Sequence, residues 1–330
     1  MTLRELKTTS SGRKLLFLVA AFAAVYLIWG STYLAIKYAI ETMPTFLMAG
    51  VRFVTAGIVL LIAARLMPGY ERPKAVHWRT SFIVGTLLLG FGNGFVVLAE
   101  HYVSSSMTAL LIASNPFWIV TIGWLFMRRG RPTAKVALGL VIGFVGVAML
   151  VLGSNSADGG NSSPMLGVVL VTIATIGWAF GSLYGGVAPR PQSNVLASGM
   201  QMFSGGLVLL IVSLVTGEWR SFDIAAISST SWLALAYLIF VGALVAYSAY
   251  SWLLQNASPS MVSTYAYVNP VVAVFLGWLI AGESMTTQMF LGAAVIVASV
   301  VLVTSQKKTE LKPEPVELHT SCAPEPKYST

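Results

Sequence analysis

The chain has 330 residues, of which 56% are hydrophobic and 10% charged, with a formal net charge of +8. A soluble domain carries about 25% charged residues, so the deficit argues against a soluble fold and against a soluble protein with one anchor. No basic patch with interleaved aromatics points to nucleic acid, and the single cysteine, Cys322, rules out an intrachain disulfide.

Apolar runs of about 20 residues recur along the chain, each long enough to cross a bilayer of roughly 30 Å as a helix. Ten are predicted, over 15–38, 44–66, 80–100, 105–127, 134–153, 164–186, 194–216, 231–254, 260–281 and 286–305. The first follows a basic stretch (1–14), as a signal peptide would. Nine more runs follow it, and Trp29-Gly30-Ser31-Thr32 is no small-x-small cleavage site, so it reads as a retained helix. Tyr26, Trp29, Gly30, Tyr33 and Lys37 share one of its faces at 3.6 residues per turn. Aromatics there can stack on a cargo or pack between helices.

Arg52, in the second span, is the one full charge read as deep within a span. An intramembrane charge is costly and marks a functional candidate. Its guanidinium suits a carboxylate held bidentately; it could equally tie helices together through backbone carbonyls. The third span carries Asn93 and Glu100 on one face, two turns apart, with His101 at its outer end. A carboxylate beside an imidazole can act as a protonation switch for coupling, or both can be solvated at the interface. On this reading no span holds a deep acidic residue.

The fourth span contains Asn115-Pro116 about ten residues in, near the midplane at 1.5 Å per residue. Pro116 removes a hydrogen bond to the Ile112 carbonyl. After the fifth span, residues 154–163 form a polar linker. The sixth span offers Trp178, the seventh Gln201, the eighth Tyr247 and Tyr250. The ninth repeats the Asn-Pro device as Asn269-Pro270, beside Tyr265 and Tyr267. Each Asn-Pro pair can serve as a hinge, offer a ligand to cargo, or both. The tail 306–330 is rich in Pro, Lys and Glu and reads as disordered.

With the N-terminus in the cytoplasm, all of the 20 Lys and Arg residues except Lys37, Arg52 and Arg220 fall in inner segments. The positive-inside rule therefore puts both termini inside. The halves also resemble each other. Ser104–Leu125 aligns without gaps to Ser258–Leu279, Gly30–Tyr33 to Gly181–Tyr184, and Gly50–Leu61 to Gly199–Leu210, with Arg52 opposite Gln201. Five spans per half, an odd number, invert the second copy. Inverted repeats place a binding site near the midplane between them and suit alternating access. Glycines four residues apart (Gly90 and Gly94, Gly139 and Gly143, Gly181 and Gly185) read as packing sites.

The order of motifs resembles the EamA family of the drug/metabolite transporter superfamily, and YedA-type inner-membrane permeases in particular. The likeness spans all ten runs. It rests on Ile28–Lys37 (IWGSTYLAIK), Met48–Phe53 (MAGVRF), Gly92–Gly94 (GNG), Ala99–His101 (AEH), Trp178–Gly185 (WAFGSLYG), and Thr264–Val274 (TYAYVNPVVAV) followed by Gly282-Glu283. The resemblance implies export or exchange of small metabolites such as amino acids across a bacterial plasma membrane. The expected protein is thus an all-α polytopic carrier of ten helices in two inverted five-helix repeats, 15–153 and 164–305. Its expected partners are a small-molecule cargo and the lipid bilayer, with no cofactor, no metal and no catalytic residues. Cavity candidates are Trp29, Tyr33, Arg52, Asn93, Asn115, Trp178, Gln201, Tyr247, Tyr250, Tyr265, Tyr267 and Asn269. Pro116 and Pro270 are the hinge candidates, and Glu100 and His101 the coupling candidates. The rivals are a lipophilic-cation or drug carrier, which a deep glutamate would favour, and an intramembrane enzyme or receptor.

Overall fold

The computed structural model describes residues 3–127, 131–154, 164–220, 222–257, 259–262, 264–284 and 286–304. Every regular element among them is helical. Within lipid a spanning backbone must satisfy its own polar groups, and a helix does so segment by segment. Seven helices are long and apolar enough to cross a bilayer: Leu15–Ile40, Thr45–Leu66, Ala75–Ala99, Ser105–Phe126, Pro164–Gly185, Asn194–Val215 and Ser229–Leu253. Three shorter apolar stretches, Ala134–Met149, Val268–Ala281 and Thr287–Ser299, fill the expected fifth, ninth and tenth places. The first helix begins at Leu3, within the expected N-terminal tail. The third begins at Ala75 rather than 80, just after Pro73 and an extended Lys74. Residues 155–163 of the linker and the tail 306–330 lie outside the described residues.

The two halves meet across the second and seventh spans. A Cβ on Gly57 would lie 2.5 Å from the Phe203 backbone nitrogen, and one on Gly206 2.6 Å from that of Val54. Gly50 faces Leu210, and Gly199 faces Leu61. Gly57 aligns with Gly206, Val54 with Phe203, Gly50 with Gly199 and Leu61 with Leu210. Each contact therefore has its mate when the halves are exchanged. Numbers rise along one helix as they fall along the other, so the pair is antiparallel and the repeat is inverted in space as well as in sequence. Lipid offers no hydrophobic drive to helix association, and small residues that admit close backbone contact take its place.

The fifth and tenth spans pair in the same antiparallel sense. Gln288 Nε2 donates to the Met149 carbonyl (3.2 Å) and Ser299 Oγ to that of Gly139 (2.7 Å). The first span packs on the eighth and ninth, and the sixth on the third and fourth. These are again the same relation seen from either half.

Two features fall outside the sequence reading. The third span widens into π-helix over Thr86–Asn93, and the eighth over Tyr237–Val245. Such segments are rare and gather at functional places. The Asn-Pro pairs also behave differently from each other. In the fourth span the helix stops at Ile112 and restarts at Asn115, so Pro116 lies in a first turn, where its missing N–H costs nothing. In the ninth, the chain interrupts before Tyr265 and Pro270 lies inside the helix Tyr265–Ala281. Matched residues thus give unmatched breaks.

Backbone cannot retreat from an added methyl as a flexible side chain can. Gly57→Ala and Gly206→Ala should each cost about 1–3 kcal/mol through overpacking. Gly185→Ala, whose Cβ would meet only Val84 methyl groups at 3.4 and 3.5 Å, should cost less. Thermal unfolding in detergent tests this, and equal losses at the three sites would show that the close contact is not the constraint.

Candidate functional site

At one end of the bundle, carboxylates of the second half close over helix starts of the first. Gly282 takes a left-handed conformation (φ +63°), and Glu283 N–H returns to the Gly277 carbonyl at 3.0 Å. This ends the ninth span in a tight corner of the kind glycine favours. The corner aims Glu283, 8% exposed, at the start of the helix Ser105–Ile112. Oε1 accepts from Ser105 N (3.0 Å), Ser105 Oγ (2.8 Å) and Lys37 Nζ (3.0 Å). Oε2 accepts from Ser106 N (3.1 Å) and Ser106 Oγ. A helix start presents free N–H groups and positive potential, so a carboxylate is favoured there.

Glu218 does the same for the second span, accepting from Phe46 N (3.0 Å) and Leu47 N (2.9 Å). Thr42 Oγ1 donates to Ser231 Oγ (2.8 Å), and Ser231 Oγ donates to the Tyr38 carbonyl (2.8 Å). Thr45 bonds His101 at 2.8 Å within the first half. Burial alone would raise the Glu283 pKa, but the hydrogen bonds from Ser106 and Ser105 and the charge of Lys37 outweigh it and hold the carboxyl below its ordinary range. For His101, desolvation lowers the imidazole pKa against the opposing charge of Glu218.

Deeper in the bundle, side chains from both halves converge. The rings of Trp29, Tyr250 and Tyr265 form a triangle with centroids 5.1, 5.2 and 5.8 Å apart. Tyr26 closes one side through a 2.5 Å bond to Thr264. Trp29 Nε1 donates to the Gly242 carbonyl (3.3 Å) in the eighth-span π segment. Arg52, 6% exposed, lies against that segment: a Cβ on Gly242 would be 3.8 Å from its Nη2. Its guanidinium carbon is 4.7 Å from the Phe53 ring centroid. Arg52 Nε and Nη1 are buried without a hydrogen-bond partner, as are both carboxylate oxygens of Glu100, itself 7% exposed. Tyr33 interacts electrostatically with Glu100 and Tyr265, and Glu100 with Glu283, Lys37 and Arg52. The amide oxygens of Asn115 and Asn269, matched by the repeat, are also buried and unpartnered, so neither serves to cap its own helix break.

The structure therefore gathers Trp29, Tyr33, Arg52, Tyr250 and Tyr265 into one cluster and adds Glu100 to it. Glu100 is buried rather than solvated, which removes the reading of it as a solvated interfacial residue. Its position at the end of an apolar run concealed this, because the neighbouring helices that bury it are distant in sequence. Other candidates stand elsewhere. Trp178 Nε1 donates to the Leu88 carbonyl (2.6 Å), which Asn93 Nδ2 also reaches (3.3 Å). This mirrors Trp29: each half's first helix sends an indole to a carbonyl in the other half's π segment.

Tyr247 bonds Ser198 and the Asn194 carbonyl (3.1 Å) at the start of the seventh span. Gln201 is partly buried, its backbone against Gly85. The Tyr267 side chain lies outside the described residues. An apolar pocket of about 340 Å³ lies beside Pro116, Phe117 and Trp118, between the fourth, fifth, sixth and tenth spans. It is separate from the aromatic cluster. Sequence reasoning placed Glu283 at the close of the ninth span, but its bonds to the other half, and Glu218 altogether, escaped it. The visible signal was Gly282-Glu283 directly after an apolar run.

Among known proteins, the profile of the EamA-like transporter family matches residues 15–152 and again 165–305. An uncharacterized inner membrane transporter of Escherichia coli, YedA, is 41% identical over 89% of this chain and 93% of its own. The uncharacterized transporter YvbV of Bacillus subtilis is 24% identical over 93% and 96%. The protein PecM of Dickeya dadantii is 25% identical over 84% and 88%. A chain of known crystal structure superposes with a TM-score of 0.58 at 18% identity, covering 88% of this chain and 96% of that one, and so shares the fold.

Because the folded-state pKa of Glu283 is lowered, its contribution is present above the ordinary carboxylate range and lost as pH falls through the lowered value. Acidification below that range should release the Ser105 and Ser106 amides, and Glu283→Gln should release them at neutral pH. Hydrogen exchange reads both amides directly. Unchanged protection in Glu283→Gln would show that the carboxylate does not hold this end.

Proposed function

This chain belongs to the EamA-like transporter family, and we propose that it exports or exchanges small metabolites, amino acids or related compounds, across a bacterial inner membrane. Transport proceeds by alternating access to a midplane site between the repeats, with both termini in the cytoplasm. The observation that carries the cargo class is Arg52: a buried guanidinium with Nε and Nη1 unpartnered, beside an aromatic triangle at the junction of the halves. Such a group suits a carboxylate presented in plane with it, and the three rings suit the apolar body of the same molecule.

On this reading the carboxylate-capped end is the outer gate, closed in the described state. Glu283, Glu218, Ser228 and Ser231 come from the second half, and their partners from the first, so opening it means parting the repeats. Asn115 and Asn269 are polar contacts for cargo near the midplane, and the interruption beside Pro116 is the flexing point of the fourth span. A carrier of this kind can run on the cargo gradient alone, as a facilitator or exchanger.

A second reading gains support from Glu100. A buried carboxylate among aromatics would suit a lipophilic cation, the cargo of a drug-efflux carrier. Arg52, within electrostatic reach of Glu100, disfavours a cargo with net positive charge.

Proteoliposomes settle the choice. Counterflow of a labelled amino-acid panel is expected, with little dependence on a pH gradient. Arg52→Gln should raise the KM for a carboxylate-bearing cargo at least tenfold, the loss of about 1.4 kcal/mol expected of a charge-assisted bond. Movement of a lipophilic cation and of no amino acid would establish the second reading, and an unchanged KM in Arg52→Gln would remove the carboxylate role.

A further inference from the structure

Glu100 is the feature that a carboxylate-binding arginine leaves unexplained. Taking a carboxylate out of water costs several kcal/mol unless opposite charge and hydrogen bonds replace the solvent. Glu283, on the same side of the bundle, shows that replacement complete: five donors, two of them backbone N–H groups. Glu100 shows none of it. Both oxygens are buried and unpartnered, although a cation is within electrostatic reach on two sides, Lys37 and Arg52. Lys37 is already bonded to Glu283, and among the described residues Arg52 makes no ion pair. A guanidinium and a group that ionises to a carboxylate are thus held within electrostatic reach of each other, buried and without direct contact. Tyr33 is within electrostatic reach of both Glu100 and Tyr265, a corner of the aromatic triangle.

An arrangement of this kind gains most from a molecule that brings an opposite charge to each pole at once. A simple anion would satisfy Arg52 and meet repulsion from Glu100, and a simple cation the reverse. A molecule with both poles gains at both, and its apolar remainder can rest on the rings. We infer that Glu100 is a cargo-binding residue that takes the ammonium pole of a zwitterion while Arg52 takes its carboxylate, so the site selects dipolar cargo over either singly charged analogue. This inference rests on the transport reading above, with Arg52 as its anion-binding group, and names the missing second pole. The Glu283–Lys37 pair lies beside that pole and keeps Lys37 from neutralising it.

The test compares three probes on one purified sample by ligand-induced thermal shift and calorimetry. They are L-leucine, 4-methylpentanoate, which lacks the amine, and 3-methylbutylamine, which lacks the carboxylate. The wild-type protein should bind leucine at least tenfold tighter than either analogue. Glu100→Gln should weaken leucine at least tenfold and leave 4-methylpentanoate unchanged or tighter. Arg52→Gln should weaken leucine and 4-methylpentanoate and spare 3-methylbutylamine. Glu100→Asp should restore part of the preference for leucine.

Ratios between probes on the same sample are insensitive to the fraction of folded protein, so a variant that folds poorly still reports. Equal weakening of all three probes in Glu100→Gln would make Glu100 structural and overturn the inference. Unchanged leucine affinity in Glu100→Gln, with transport that has lost its response to a pH gradient, would make it a proton carrier and overturn it too. If leucine fails to bind the wild-type protein the inference falls, while the amino-acid panel still decides the transport reading separately.

Discussion

The architecture depends on the close antiparallel contact of the second and seventh spans. Gly57 against Phe203 and Gly206 against Val54 bring two backbones closer than any side chain would permit. Helices already in lipid gain little by hiding apolar surface from each other, so van der Waals contact between backbones has to supply the association. Because both glycines come from the same duplicated position, the contact is self-complementary. It fixes the axis about which the halves are related, and the pairing of the fifth and tenth spans follows the same axis. Arg52 sits between Gly50 and Gly57 on this helix, so the charge is carried by the most tightly held element of the molecule.

Around that axis the helices that carry side chains for chemistry are less regular. The third and eighth spans widen into π-helix, which shifts the hydrogen-bond ladder and leaves carbonyls needing partners. Trp178 and Trp29 supply them across the boundary between halves. Each indole is an apolar body with one donor, suited to a site where one edge must be wet or bonded and the rest buried. Aromatic residues at these positions thus have two kinds of work. Trp29 both packs against Tyr250 and Tyr265 and bonds the π segment, whereas Trp178 bonds the π segment of the third span.

How much of this could be read from the chain depends on whether the signal was local. Ten apolar runs, the duplication and the inversion were legible, because run length, repeated motifs and an odd number of spans are properties of the sequence alone. The aromatic face of the first span was legible for the same reason, and the structure assembles Trp29, Tyr33, Arg52, Tyr250 and Tyr265 together. Glu100 was misjudged because its burial comes from helices far away in sequence. Glu283 was legible as closing the ninth span, but its partners were not, because the serines and the lysine that hold it are about 180 and 246 positions distant. The π segments left no periodic trace. The Asn-Pro pairs were legible as matched features of the fourth and ninth spans, but not that identical residues in aligned positions begin a helix in one half and lie within one in the other.

The corner at Gly282 and Glu283 has a further consequence. If the register of Ser104–Leu125 against Ser258–Leu279 is continued past its end, Arg128 and Arg129 stand opposite Gly282 and Glu283. The duplication has therefore kept the register but not the residue types, a glycine and a carboxylate in one half against two arginines in the other. Exchanging the halves would not return the same charges. A carrier with true two-fold symmetry would have two occluded faces of equal energy. On the transport reading the two faces are therefore not held alike, because the carboxylate latch belongs to one of them and the duplication does not repeat its residues at the other.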